Sequence, residues 1–222
     1  MSALPRWGGL HVLADDDPRW GRDPVEQARA ACAGGAAVVQ LRAKLAPDRV
    51  ALAWGEAIRA ATHAAGALFC VNDRVDLAIA CDADAVHLGQ GDLPPARIPP
   101  AWRSRVAVGR STHTPEQVAR ACAEPVDYVA FGPVFDTHSK TQEWSARGLA
   151  ALADAVKCAA PRPVVAIGGI DAGRVAQVRA AGAAGFAVIA AVAGAASPES
   201  AVRELAHAWA SSAQRGGAER SR

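Results

Sequence analysis

Short blocks of β-branched and aliphatic residues recur along the chain, separated by longer alanine-rich stretches with helical spacing of the apolar positions. This alternation is typical of β and α units that follow one another and build a parallel sheet. Eight of the blocks have the length of a strand. They predict strands at residues 10–13, 38–41, 68–71, 85–88, 106–109, 128–131, 164–167 and 186–189.

The stretches between the strands carry signals for helix entry. An N-cap residue followed by proline suits a helix start, because the missing N–H of proline would have been unpaired there. Four prolines after Asp92 predict that the fourth helix is short or absent. Eight strands with seven or eight helices favour a single (β/α)8 TIM barrel of the α/β class, with an open doubly wound sheet as the alternative. The predicted entries are Asp23-Pro24, Thr114-Pro115, Asp171 and Ser197-Pro198.

Composition narrows the class of protein. The chain has 222 residues, 51% of them hydrophobic and 21% charged, which suits one globular domain. We expect a catalytic barrel over residues 1–213 and a disordered Gly/Ser/Arg tail over 214–222. A net charge of +2 gives no reason to expect a nucleic-acid partner. Five scattered cysteines form no zinc motif, and the absence of a membrane-length apolar run or a signal sequence predicts a cytoplasmic protein with no membrane partner.

The active site of such a barrel lies where the strands end, so the residues after each strand deserve comparison. After the second strand, Gln40, Arg42 and Lys44 share one face of an extended segment by the two-residue period. An amide and two cations on one face suit a phosphate. A solvated strand end with ordinary basic residues fits these three residues equally well.

Acidic residues follow the next two strands. Asn72 and Asp73 come after the third strand and Asp92 after the fourth. Neighbouring strands lie about 5 Å apart, so the two carboxylates can approach one ion. Mg²⁺ suits the pair, because it is held by one or two carboxylates with water and substrate phosphates. Each aspartate alone could also serve as a turn or cap residue.

Hydroxyl groups and a lysine follow the fifth and sixth strands. Ser111 and His113 lie after the fifth strand, where a helix cap is the structural alternative and His113 could be acid, base or bystander. A long polar loop after the sixth strand carries Thr137, Ser139 and Lys140, which suit a pyrophosphate, although a solvated loop fits the same composition.

The last two strands end in glycine and alanine. Gly168 and Gly169 follow the seventh strand, and Ile189 and Ala190 complete the eighth. Backbone N–H groups at this position bind phosphate in many barrels of this fold, so a second phosphate could lie here. A glycine pair is weak on its own, since any tight turn uses it.

Taken together, these segments resemble the thiamine phosphate synthase family from residue 10 to residue 209. No single segment is specific, but their order and combination are. The matching pieces are QLRAK at 40–44, VNDRVDLA at 71–78, DAVHLGQGD at 84–92, GRSTH at 109–113, DYVAFGPVF at 127–135, T-x-S-K at 137–140 and AIGGI at 166–170.

The resemblance implies a role for each matching residue. Pyrimidine diphosphate would be held by Gln40, Arg42, Lys44 and Asn72, and Mg²⁺ by Asp73 and Asp92. Ser111 and Lys140 would contact the pyrophosphate, so that the catalytic set is Arg42, Lys44, Ser111 and Lys140. The thiazole phosphate would lie beside Thr137 and Ser139 and meet the backbone N–H groups of Gly169, Ile189 and Ala190.

The implied reaction is a substitution at the methylene carbon between pyrimidine and diphosphate, with the thiazole nitrogen as nucleophile and pyrophosphate as leaving group. The partners would be phosphorylated small molecules, and a homo-oligomer is left open. Four positions depart from the family pattern: Asp136 replaces a common proline, Ser139 a usual threonine and Ala43 a frequent glutamate, and Ala190 stands where the family often has serine. Asp136 adds negative charge beside a phosphate site.

Two other functions compete with a synthase. A thiazole tautomerase would use the same barrel with His113 as its catalytic residue, but it has no use for Asp73 with Asp92 or for the basic segment at 40–44. A non-catalytic barrel that binds a phosphorylated ligand is the second alternative. The completeness of the metal and pyrophosphate set argues against it.

Overall fold

The chain folds into a closed barrel of eight parallel strands in the order β1 to β8, so the predicted (β/α)8 TIM barrel is confirmed. The structure is a computed structural model that describes residues 6–137, 139 and 144–219, with side chains up to 213. The strands are β1 Gly9–Asp15, β2 Val38–Arg42, β3 Leu68–Asn72, β4 Ala85–Leu88, β5 Ala107–Thr112, β6 Tyr128–Phe131, β7 Val164–Ile167 and β8 Gly185–Val188.

Helices follow the strands on the outside of the barrel. Three predicted entries are confirmed: Asp23 forms a capping box with Glu26, Thr114 caps the helix at Pro115, and the last helix begins at Pro198. The helices are α1 Pro24–Gly34, α2 Asp48–Ala65, α3 Val75–Ala80, α4 Pro100–Arg103, α5 Pro115–Ala123, α6 Gly148–Ala159, α7 Val175–Ala180, α8 Ala190–Ala193 and α9 Pro198–Glu219.

Two helix predictions can be compared in detail. The fourth helix is short, as the prolines predict, and consists of the 3₁₀ turn Pro95–Arg97 and the four residues of α4. The entry predicted at Asp171 comes too early, because α7 begins at Val175. The Asp171 side chain accepts a hydrogen bond from the backbone N–H of Arg174 at 3.1 Å, so it caps a turn before the helix instead of the helix itself.

The end of the chain bears on the predicted domain boundary. The backbone of α9 continues as helix to Glu219, into the segment from 214 onward for which a disordered tail is expected. Residues 220–222 lie outside the described residues, and the boundary at 213 stays a prediction. Within the described part of the chain, no helix combines the length and apolar character needed to cross a membrane.

Alternation along the strands divides the apolar residues into two cores. One core lies between the barrel and the helices, and includes Val39, Phe69 and Phe186. The other lies inside the barrel, where Leu13, Val38, Cys70 and Tyr128 are buried with Trp7 closing the end of the barrel away from the strand carboxyl ends. Side chains at every second strand position therefore face the barrel interior.

Tyr128 is the largest fully buried side chain in this interior, and Gly109 makes room for it. The two residues are paired in the β5–β6 register, and a Cβ added to Gly109 would overlap the Tyr128 ring and the ring of His87. Both rings lie on neighbouring strands whose backbone cannot move apart. Glycine at position 109 is therefore required by packing and not by its backbone conformation.

We expect Gly109→Ala to lower the free energy of unfolding by about 1–3 kcal/mol, because the added methyl overpacks the barrel interior. Urea unfolding of the variant beside wild type measures this difference. Gly91→Ala is the matched control, since nothing lies within 4 Å of a Cβ at that position. Equal stability of the two variants would contradict the packing role of Gly109.

Candidate active site

A large cavity of about 950 Å³ opens at the carboxyl ends of the strands. All the predicted site residues that the structure describes line it, whereas Lys140 lies outside the described residues. The structure therefore places these residues around one cavity, and their roles stay predictions. The lining includes Gln40, Arg42, Lys44, Asn72, Asp73, Asp92, Ser111, Thr137, Ser139, Gly169, Ile189 and Ala190.

Arg42 is held in place by an aspartate that the sequence analysis did not single out. Its Nη1 atom donates to both carboxylate oxygens of Asp15, at 3.1 and 3.0 Å, and the Asp15 side chain is 1% exposed. The next residue, Asp16, accepts the backbone N–H groups of residues 44, 45 and 46 at 2.9, 2.7 and 2.9 Å. The end of β1 thus fixes both the Arg42 side chain and the loop that carries Lys44.

Lys44, Asp73 and Asp92 form a charged cluster on the neighbouring strand ends. The Lys44 ammonium contacts the Asp73 carboxylate, and the carboxyl groups of Asp73 and Asp92 hydrogen-bond with each other. Burial acts to raise the pKa of Asp73, but its hydrogen bonds with Asp92 and Lys44 outweigh burial and lower this pKa. Burial and the contact with Asp73 raise the pKa of Asp92. Two carboxyl groups this close share a proton unless a cation joins them.

Both aspartates also fix the local backbone. Each therefore has the turn or cap role that was its alternative, in addition to the predicted pairing. Asp73 adopts a left-handed conformation with φ of 64°, and its N–H donates to the carbonyl of His87 at 2.8 Å. The Asp92 carboxylate accepts the N–H of Gly89 at 2.6 Å. The first contact joins the end of β3 to β4, and the second closes the turn that follows β4.

A chain of polar side chains forms the floor of the cavity. The two ring nitrogens of His87 hydrogen-bond with Ser111 Oγ at 2.8 Å and with the Tyr128 hydroxyl at 2.9 Å. Burial raises the pKa of Tyr128 well above its usual value, so the phenol stays neutral. Tyr128 also contacts Cys70, to which Gln40 donates at 3.6 Å. In the sequence, His87 and Tyr128 carry no signal beyond the inward period of their strands.

His113 is packed against the loop that follows β6. Its ring stacks on Trp144 with 5.2 Å between centroids and 17° between planes. Its Nδ1 donates to the carbonyl of Gly132 at 2.6 Å, since a carbonyl can only accept. Trp144 also lines the cavity, beside His113.

The end of β7 and the glycine turn after it form hydrogen bonds with the first part of the loop after β6. Val134 and Phe135 donate their N–H groups to Ile167 and Gly168 at 2.9 and 3.0 Å. Gly169 has φ of 63°, and a Cβ there would overlap Phe135 and the backbone of Asp136. Glycine is therefore required at this turn. Thr137 and Ser139, which hydrogen-bond with each other at 3.3 Å, follow directly at the cavity wall.

The segment after β1 also reaches the cavity, although it was not among the strand ends predicted to form the site. Arg19 and Trp20 line the cavity from the 3₁₀ turn Pro18–Trp20. The same rule that selected the other loops, that barrel sites lie after strands, would have drawn attention to it. Its charged residues carry both signs, which is typical of a solvated turn.

This fold and site define a TIM barrel whose cavity has two distinct regions, a basic region beside paired carboxylates and a region of hydroxyl and backbone N–H groups. Comparison with known proteins identifies the class further. The sequence model of the thiamine monophosphate synthase family matches residues 10–192. The chain belongs to this family.

Individual relatives agree with the family assignment. The thiamine-phosphate synthase of Methanoculleus marisnigri is 47% identical over 88% of this chain and 92% of that protein. That of Anaeromyxobacter dehalogenans is 48% identical over 92% of this chain and 89% of that protein. The solved thiamine phosphate pyrophosphorylase from Pyrococcus furiosus superposes with a TM-score of 0.82 at 35% identity, covering 92% of this chain and 96% of that one.

These relatives confirm the expectation of an enzyme, a transferase of thiamine biosynthesis. Neither alternative is favoured, because the relatives just described are named synthases or pyrophosphorylases. The resemblance drawn from seven short segments therefore extends over most of the chain.

The pH dependence of stability follows from the buried His11 at the base of the cavity, whose pKa is lowered to about 4 by burial. Between pH 6.5 and about 4 the unfolded chain binds a proton that the folded chain refuses, so stability falls as the pH falls. We expect a loss of about 3 kcal/mol across this range from His11 alone. Urea unfolding at several pH values measures it.

His11→Gln should flatten this part of the pH profile, whereas His63→Gln, at an exposed position of α2, should leave the slope as in wild type. An unchanged slope in His11→Gln would show that other groups cause the pH dependence.

Proposed function

We propose that this chain joins 4-amino-2-methyl-5-hydroxymethylpyrimidine diphosphate to 4-methyl-5-(2-phosphoethyl)thiazole, giving thiamine phosphate and pyrophosphate. The observation that carries the proposal is the meeting, in one cavity, of the basic residues after β2 with the carboxylate pair after β3 and β4. A tautomerase moves a proton on one substrate and needs neither group. Membership of the family supplies the reaction class.

The pyrimidine diphosphate would bind along the β2 to β5 side of the cavity. Arg42 enters this side already oriented by Asp15, and a guanidinium matches phosphate oxygens through paired N–H donors. Ser111, held by His87, would donate its hydroxyl to the leaving pyrophosphate. Gln40 and Asn72 are nearly buried amides at the cavity floor, and they would bind polar atoms of the same substrate. Lys44 and Lys140 would add positive charge.

The carboxylate pair suits Mg²⁺. Asp73 and Asp92 approach closely enough to share a proton, and a divalent cation would replace that proton and relieve their repulsion. No group of three His, Cys, Asp or Glu side chains converges within the described residues, so water and phosphate oxygens would complete the coordination. This is the ligand set in which Mg²⁺ is usually found. When bound, the ion would neutralise charge on the diphosphate.

The reaction would be a substitution at the methylene carbon of the pyrimidine. The bond from this carbon to the diphosphate oxygen breaks, and its electron pair leaves with pyrophosphate; the thiazole nitrogen then supplies the pair for the new carbon–nitrogen bond. Arg42, Lys44, Ser111 and Lys140 would stabilise the charge that grows on the leaving group, which is where fixed positive charge lowers the barrier most. The electron-rich aminopyrimidine stabilises the cation, so no protein nucleophile is needed.

The thiazole phosphate would bind on the β6 to β8 side. Thr137 and Ser139 offer hydroxyl groups at the cavity wall, and Ser139 keeps the donor of the threonine that the family usually has. Backbone N–H groups at Gly169, Ile189 and Ala190 would contact the phosphate oxygens, so alanine can stand where the family often has serine. We expect the enzyme to act in the cytoplasm on these two small molecules, and we propose no nucleic-acid or membrane partner.

The function is tested by pyrophosphate release with both substrates and Mg²⁺. We expect release only when both substrates are present, and loss of release with EDTA. In Asp73→Asn we expect the rate to fall by roughly a hundredfold or more. Asp76→Asn is the matched control, because Asp76 is an exposed partner of Arg74 outside the cavity. No release from folded wild type would refute the synthase and make His113→Ala, with a tautomerase assay, the next experiment.

The metal site has a test that does not depend on turnover. With pyrophosphate present, saturating Mg²⁺ should raise the melting temperature of wild type by about 5 °C, because a ligand that binds only the folded state stabilises it. Asp92→Asn should lose most of this increase, and it should be more stable than wild type without metal because the carboxylate repulsion is gone. An equal Mg²⁺ effect in both proteins would show that the ion binds elsewhere.

A further inference from the structure

We propose that Arg19 binds the phosphate of the thiazole substrate, as a cation supplied by the segment between β1 and α1. The inference rests on the proposed function and deepens it, since it names a phosphate-binding side chain outside every family motif. None of the seven matching segments includes residues 14–37. The nearest expected contacts to this phosphate are hydroxyl and backbone N–H groups, with no described cation among them.

The segment has a defined shape that presents Arg19 to the cavity. The Asp17 side chain caps the 3₁₀ turn by accepting the N–H of Arg19 at 3.0 Å, and it also accepts Arg19 Nε at 2.8 Å. Gly21 ends the turn with φ of 65°, a conformation that glycine adopts without strain. The Arg19 guanidinium lies over the Trp20 ring, 4.9 Å from its centroid. The side chain is thus oriented before any ligand arrives.

The residues next to Arg19 hold the segment against the residues that follow β8. The Trp20 ring lies against Gly194 at the end of α8. Arg22 donates to the carbonyls of Ala193 and Ala196 at 3.4 and 3.3 Å. Because β1 and β8 are neighbours in the closed barrel, these contacts hold the segment next to Ile189 and Ala190.

Arg19 itself reaches across to the loop after β6. Its Nη2 donates to the carbonyl of Ser139 at 3.2 Å, a contact between residues 120 positions apart. The Arg19 side chain therefore lies between Ser139 and the β8 side of the cavity, and all of these residues line the cavity wall. These are the two segments between which the thiazole phosphate would bind.

The charge of Arg19 suits this place. Asp136 lines the same part of the cavity and brings a negative charge where the family commonly has proline, and Ala190 lacks the hydroxyl of the more usual serine. The added negative charge weakens a site for a phosphate dianion, whereas Ala190 keeps its backbone N–H. A guanidinium offsets this charge, because its planar set of N–H donors matches two phosphate oxygens at once.

The experiment compares wild type with Arg19→Gln in equilibrium binding of the thiazole phosphate and in steady-state turnover. Loss of one charge-assisted contact should weaken thiazole phosphate binding and raise its KM by roughly tenfold to a hundredfold. The KM for the pyrimidine diphosphate should stay as in wild type. Arg19→Lys should recover part of the loss, because it restores the charge but not the paired donors.

Two controls separate phosphate binding from a structural role. The first is 4-methyl-5-(2-hydroxyethyl)thiazole, which lacks the phosphate and whose inhibition constant should be the same for wild type and Arg19→Gln. The second is Arg29→Gln on the exposed face of α1, which makes the same change in net charge without contact with the cavity.

The proposal for Arg19 is overturned if thiazole phosphate binds equally well to wild type and Arg19→Gln, if the phosphate-free thiazole is weakened to the same degree, or if Arg29→Gln has the same effect. Absence of turnover in wild type would instead refute the proposed function. The binding measurement would still decide the role of Arg19 in that case.

Discussion

The closure of eight parallel strands into one barrel is the constraint on which the rest of this structure depends. Closure brings all eight carboxyl ends to one rim, and strand alternation sends every second side chain inward. The inward residues low in the barrel must fill it, as Tyr128 does against Gly109. Those at the rim lie above the filled part of the barrel, so polar residues there face the cavity. The site is thus the unfilled end of the barrel core.

Charge balance is the second feature of the cavity. Three cations that line it already contact carboxylates: Arg42 with Asp15, Lys44 with Asp73, and Arg19 with Asp17. Each carboxylate orients its cation and reduces the repulsion between the cations. An anionic substrate would therefore meet donors that are already in place. The pairs differ in consequence. Asp15 and Asp17 would remain with their arginines, whereas a cation on Asp73 and Asp92 would release Lys44 toward the diphosphate.

The parts of this structure that follow the two-residue period of a strand could be predicted from the sequence. The strand blocks, the inward set Gln40, Arg42 and Lys44, and the approach of Asp73 to Asp92 all depend on alternation and on neighbouring strand ends. The contacts that no period describes could not be predicted. The Arg19 bond to Ser139 and the stack of His113 on Trp144 depend on the paths of loops that meet only in the closed barrel.

The two sides of the cavity also differ in how much sequence change they tolerate. The diphosphate side uses side chains at strand ends, where a substitution removes the group itself, and the one departure there, Ala43, alternates away from the cavity into contact with the outer core. The thiazole side would use backbone N–H groups and a cation from another loop. The departures Asp136, Ser139 and Ala190 lie on that side because none of them removes a backbone donor. A cation carried by a separate segment can also compensate for the negative charge that Asp136 adds.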